Sequence, residues 1–252
     1  MDLFTKSWFE QHGDCLEDWQ RSTYKDFVNM MGDEENPYPC IPGMQGFISD
    51  TLRFGYAGSP TDQGSHKQLA KLLKQYGKVS RDTGKYASLV VFFDSREMVK
   101  EEATIDEYQN QFWTILNQVH KLDEQEWPEH IPKEPHHHEW EFCFDGEPYF
   151  AFCATPAHVI RKSRQFPTFL IAFQPRWVFD EINASTTFGQ KLKRAIRKRL
   201  VAYDGVDPHP ALKWYGQQDN YEWEQYFLHD NDSSLSKCPF TAMMNKFKKL
   251  QP

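Results

Sequence analysis

Between residues 14 and 31, Leu16, Trp19, Tyr24, Phe27 and Met31 recur near the helical spacing, with Asp14 as a cap and Glu17 three residues on. The same period puts Leu69, Leu72, Leu73 and Tyr76 on one face of a helix over 65–77. Thr104-Ile105-Asp106-Glu107 reads as a capping box, and the helix it opens turns Ile105, Tyr108, Phe112, Leu116 and Val119 inward. Phe188, Leu192, Ala195, Ile196 and Leu200 form a last apolar stripe, with Lys191, Lys193, Arg194, Arg197, Lys198 and Arg199 on the outer face.

A strand period appears elsewhere. Leu52–Tyr56 alternates, and Ser88–Phe93 and Thr168–Phe173 are apolar runs of the kind that form buried strands. Trp140, Phe142 and Phe144 alternate with Glu139, Glu141 and Cys143, which predicts a half-buried strand. Asp145-Gly146 turns it and Tyr149–Cys153 returns, so a β-hairpin is expected. Thr155-Pro156-Ala157 ends that strand and opens a short basic helix, His158 to Gln165, which Phe166-Pro167 terminates. Three prolines in Asn36–Gly43 predict a loop or extended edge, and Pro128, Pro132 and Pro135 predict a connecting loop over 121–138. Two sequential strands, without the βαβ rhythm of a fully parallel sheet, imply an α+β fold: an antiparallel or mixed central sheet flanked by helices, in a single domain over 1–252.

Composition narrows the function classes. Aromatic residues make up 15% of the chain, enough for a packed core and also for a pocket that takes a flat apolar ligand. A net charge of −7 argues against nucleic acid as a partner. No run of about 18 apolar residues spans a membrane, and the start, Met1–Lys6, lacks a secretory signal. The five cysteines are widely spaced with no CxxC pair, which predicts a reducing, cytoplasmic setting and neither disulfides nor a structural zinc site.

Several side chains could carry chemistry. His158 stands at the start of the expected basic helix, and imidazole is a common haem-iron ligand. Helical spacing would set Arg161 on its face, as a partner for a propionate or a substrate carboxylate. The alternative is a solvated histidine. His136-His137-His138 cannot easily share one metal, since consecutive residues diverge, but a His-x-Glu pair ending at Glu139 could hold non-haem iron or zinc with His138 nearby. Otherwise it is a solvated loop. Cys40, held between Pro39 and Pro42, is either a thiolate ligand or redox thiol, or a small buried hydrophobe. The basic run 191–199 is a phosphate or RNA site or a solvated face. Asp207–Pro210 and the aromatic, amide-rich Trp214–Trp223 could close over a pocket. CxxCH is absent, so any haem would be non-covalent, and no nucleotide-binding, hydrolase or zinc-protease motif appears.

Tyr38-Pro39-Cys40, Leu52-Arg53-Phe54, Leu89–Phe93, Phe150–Ala154, Arg161–Pro167 with the strand to Phe173, and Asp219–Trp223 occur in an order that resembles the YqcI/YcgG family of bacteria. The resemblance implies a haem-b-dependent N-oxygenase acting on a guanidine or amine nitrogen of a small molecule, with O2 and an external electron donor as partners. It implies His158 as proximal metal ligand, with Cys40 and His138 as alternatives, and Arg161 or Arg164 paired with a propionate. Phe142, Phe144, Phe150 and Phe152 would supply ring contacts, with Arg53 nearby. The family's histidine falls close to Thr155-Pro156, whereas this chain carries His158. Two other readings stay open: a non-catalytic haem or small-molecule binding protein, and a non-haem metal enzyme using His136–Glu139. A homodimer is also open.

Overall fold

Asp145 and Gly146 both adopt positive φ, 51° and 78°, and so close the expected two-residue hairpin. That hairpin ends one mixed sheet in the order β1-β2-β5-β4-β3, built from β1 (Leu52–Ala57), β2 (Ser88–Phe93), β3 (Phe142–Phe144), β4 (Glu147–Ala154) and β5 (Phe169–Pro175). β1 and β2 run parallel and every other neighbour is antiparallel. The helices are α1 (Lys6–His12), α2 (Asp18–Gly32), α3 (Ile41–Ile48), α4 (Gln63–Thr83), α5 (Arg96–Lys100), α6 (Ile105–Lys121), α7 (Trp177–Asp180), α8 (Thr187–Asp204) and α9 (Trp223–Tyr226). The computed structural model describes residues 3–180, 186–213 and 217–241, so Met1-Asp2 and Trp214-Tyr215-Gly216 lie outside the described residues. The α+β mixed sheet anticipated from the hairpin is the architecture observed, with β1-α4-β2 as one parallel βαβ unit within it.

Side-chain alternation divides the sheet into two faces. Leu89, Val91 and Phe93 of β2, Ile171 and Phe173 of β5, and Tyr149, Ala151 and Cys153 of β4 pack against the apolar stripes of α4 and α6. The opposite face carries Leu52, Phe54, Val90, Phe92, Leu170 and Ala154, covered by Phe27 and Met31 of α2 and Phe47 of α3. Gly55 allows the close approach of α4, because a Cβ there would come within 2.7 Å of Leu72.

The structure corrects four local expectations. α2 starts at Asp18, not near Asp14, because Glu17 is extended and caps the helix in a reciprocal box with Gln20. The proline-rich segment leads into a helix: Cys40 caps α3, and Pro42 sits in its first turn, where no N–H partner is needed. The strand expected from Trp140 begins at Phe142 and is buried on both faces, since Glu141 and Cys143 are buried as well as Trp140, Phe142 and Phe144. Residues 158–165 are not a helix; only Lys162–Arg164 form a single 3-10 turn. All five cysteines are free, and no described helix is long and apolar enough to cross a membrane.

Candidate functional site

The second sheet face is only partly covered. Toward β4, Phe150, Phe152, Ala172 and Gln174 floor a cavity of about 350 Å³, near the lower end of the ~300–1,000 Å³ usual for ligand sites. Phe27, Met30 and Met31 of α2, the Tyr38–Cys40 stretch, and Ile196 and Leu200 of α8 form the facing wall. The lining is largely apolar. Its polar members include Cys40, Gln174, Ser163, Asp204, Arg161 and Arg164.

One end of the cavity is the loop 155–166. It is closed at its base by backbone bonds from Thr155 N to Arg164 O (2.9 Å) and from Phe166 N to Thr155 O (3.1 Å). It does not coil into a helix because its N–H groups have another acceptor. Val159, Ile160 and Arg161 donate their backbone N–H groups to the Asp230 carboxylate at 2.8, 3.1 and 2.9 Å. Burial pushes the Asp230 carboxyl up, but these three donors outweigh it and hold the pKa below the usual carboxylate value.

His158 lies at the centre of this loop, fully buried and outside the cavity lining. Its Nε2 sits 2.8 Å from the Leu228 carbonyl, which can only accept, so Nε2 carries the proton. Nδ1 then accepts from the Thr155 hydroxyl at 2.8 Å. Burial lowers its pKa to about 4, so the ring is neutral near pH 7. Both nitrogens are thus engaged within the protein.

Arg161 is equally committed. Nε donates to His229 O (3.0 Å), Nη1 to Asp207 O (3.1 Å) and Nη2 to Asp232 Oδ1 (2.7 Å). Arg164 differs. It is 5% exposed, and Nη1 donates to Cys153 O (3.2 Å) and Tyr226 O (3.1 Å), while Nη2 donates to Gln225 O (3.0 Å). Its guanidinium lies 4.2 Å from the centre of the Phe152 ring. Among the described residues no carboxylate forms an ion pair with it. Asp204 is bound instead to Ser163, by N at 2.7 Å and Oγ at 2.9 Å.

Cys40 Sγ accepts from the Gly43 N–H (3.3 Å) at the start of α3, and burial pushes its pKa up against that bond and the influence of Arg164. The cavity lining contains this thiol and no described histidine.

The other expected residues are scattered. Phe150 and Phe152 do line the cavity, but Phe142 and Phe144 point to the α4/α6 face, because Phe142 pairs with Tyr149 across the hairpin and paired residues share a face. Arg53 is on that side too, with Nη1 on Asp50 O and Leu52 O, away from the cavity. The ligand atoms of His137, His138 and Glu139 lie within 4.8 Å of one another. Adjacent side chains converge there because the backbone turns, from His137 N to Glu134 O and from Trp140 N to His137 O. The cluster is largely exposed and outside the cavity. In the basic run, Lys193 and Arg197 donate to the carbonyls of Lys213 and Leu212, while Lys191, Arg194 and Lys198 are exposed. Asp204 and Asp230 were missed by sequence reasoning. A lone acidic residue gives no signal until its distant N–H donors are known.

Fold and site define an α+β protein with one partly roofed, mainly apolar cavity beside a buried guanidinium. The chain belongs to the YqcI/YcgG family, whose model matches residues 24–241. It is 51% identical to YcgG of Bacillus subtilis (strain 168), covering 99% of this chain and 98% of the relative, and 49% identical to YqcI of the same strain, covering 98% of each; both carry the description uncharacterised. It is 32% identical to DcsA of Streptomyces lavendulae, described provisionally as an N(omega)-hydroxy-L-arginine synthase, over 92% of this chain and 88% of the relative. No solved structure matches.

Proposed function

We propose that this chain is an N-oxygenase-like protein that takes a small molecule with a guanidine or amine nitrogen into the cavity, with b-type haem as its cofactor and an external electron donor. The observation that carries the reading is the cavity itself, which joins apolar aromatic walls, a thiol and a cation in a chain 32% identical to a relative named for arginine N-hydroxylation. The donor set fits a haem. Cys40 supplies a sulfur at the wall; burial favours its thiol form, and the Gly43 N–H and the Arg164 charge work against that, so iron would take the place of the thiol proton. Phe150 and Phe152 offer ring faces, and Arg164 offers a propionate partner. His158 fits the ligand role less well than Cys40, because liganding iron would break a bond that holds its ring.

When bound, haem supplies oxygen activation, which no side chain can provide. The chain contributes the rest. Phe27, Met30, Met31 and Phe152 exclude water, and Gln174 offers an amide for orienting a polar substrate group.

The test is an absorption spectrum of protein expressed with a haem precursor. A Soret band is expected, displaced or lost in Cys40→Ser and unmoved in His158→Gln. No band from the unsubstituted protein overturns the cofactor. A band without oxygen consumption on any guanidine or amine leaves a non-catalytic binding protein. Stoichiometric iron or zinc without porphyrin would move attention to His137, His138 and Glu139.

A further inference from the structure

Arg164 is a cation that folding has buried without a described anion at contact distance. Desolvating a charge costs several kcal/mol unless hydrogen bonds and an opposite charge compensate. Three of its N–H groups are compensated, by the Cys153, Tyr226 and Gln225 carbonyls. A guanidinium has five. The N–H on Nε and one on Nη2 have no acceptor among the described residues. The nearby acid, Asp204, spends both oxygens on Ser163.

The contrast with Arg161 is informative. Arg161 also touches the cavity, but Asp232 neutralises it and backbone carbonyls take its other nitrogens. Two arginines three residues apart thus have different fates. One is a finished structural tie, and the other keeps open donors beside an empty volume. The Phe152 ring lies beneath the guanidinium carbon, 4.2 Å from it at the ring centre, and supports the cation there. A planar cation held this way suits a planar anion, received by two parallel N–H···O bonds.

We infer that Arg164 is the receptor for a carboxylate group of the molecule that occupies this cavity. The inference rests on the cavity being a ligand site, as in the functional reading above, but not on haem chemistry. The carboxylate belongs either to a substrate or to a cofactor side chain. In both cases it would sit over the Phe152 end, with the rest of the ligand along Phe150, Phe27 and Met31.

The experiment is thermal unfolding of the full chain with matched pairs that differ only in charge: L-arginine against L-argininamide, and benzoate against benzamide. The pairs are run on haem-free and haem-loaded protein. The carboxylates are expected to raise Tm by about 5 °C at a hundredfold excess over Kd, and the amides to leave it unchanged. The preference should vanish in Arg164→Met and weaken in Arg164→Lys, which keeps the charge and loses the planar fork. If Arg164→Met does not fold, the comparison on the unsubstituted protein still decides. A preference lost on haem loading assigns the carboxylate to the cofactor, and one that persists assigns it to the substrate. Equal effects of acids and amides, or no effect of either, overturn the proposal and leave Arg164 a structural tie. Absence of a Soret band with the preference intact would overturn the haem reading alone.

Discussion

His158 is held neutral because burial desolvates the charged form, which outweighs the opposite pull of the Leu228 carbonyl on Nε2–H. Its pKa falls from 6.5 to about 4 on folding. A histidine with a depressed folded pKa binds fewer protons in the native state than in the unfolded state, so stability rises with pH. The contribution is complete above pH 6.5 and is lost as the pH falls toward 4. Urea unfolding at pH 7, 5.5 and 4 should show a loss on the order of 3 kcal/mol, and His158→Gln should flatten that acid limb. An acid limb of equal size in the substituted protein would show that other groups set it.

At the scale of elements, the loop 155–166 and the segment 228–232 form one unit although about 70 residues separate them. Asp230 gathers three N–H groups of the loop, and Arg161 returns the tie through His229 O and Asp232. Asp230→Ala leaves those donors to water. Because the site is half-exposed, the cost should be moderate, about 2 kcal/mol. The loop should also become susceptible to limited proteolysis near Val159 and Ile160, which are already exposed. Unchanged protection would show that the backbone bonds at Thr155 suffice. The periodic helices and strands were legible in the sequence because each depends on neighbours a few positions away. The capping box at Thr104 and the Asp145-Gly146 turn are examples. The loop was misread as a helix because its decisive acceptor, Asp230, lies far along the chain.

At the scale of the whole molecule, the C-terminal segment closes the α4/α6 face against the hairpin. Tyr226 donates to Tyr149 O at 2.9 Å and accepts from Phe142 N at 3.1 Å. Next to it Glu222 is buried, and burial together with the Glu141 charge raises its pKa to about 8. A carboxyl with a raised folded pKa holds more protons in the native state. Its stability contribution is therefore full below pH 4.5 and is lost as the pH rises through 8. Glu222→Gln mimics the protonated acid. It should leave stability at pH 4 nearly unchanged and raise it at pH 8.5 by on the order of 3 kcal/mol, read as a smaller alkaline drop in Tm. A drop as steep as before would place the alkaline sensitivity elsewhere.

What the sequence determined by itself was the five strands, the four long helices, the mixed sheet and the resemblance to a family, because periodicity, turn chemistry and the order of short motifs are local properties. It also picked out Cys40, Phe150, Phe152 and Arg164, which all line one cavity. Only the tertiary structure decided which candidates share a site. Strand register sent Phe142 and Phe144 to the other face. Packing gave His158 two partners and closed it off. It satisfied Arg161 and left Arg164 with open donors beside the cavity. The ties of His158, Arg161 and Arg164 draw mainly on carbonyls and carboxylates at positions 207–232, whose approach is fixed by how the chain returns across the sheet, with Thr155 and Cys153 as the local partners.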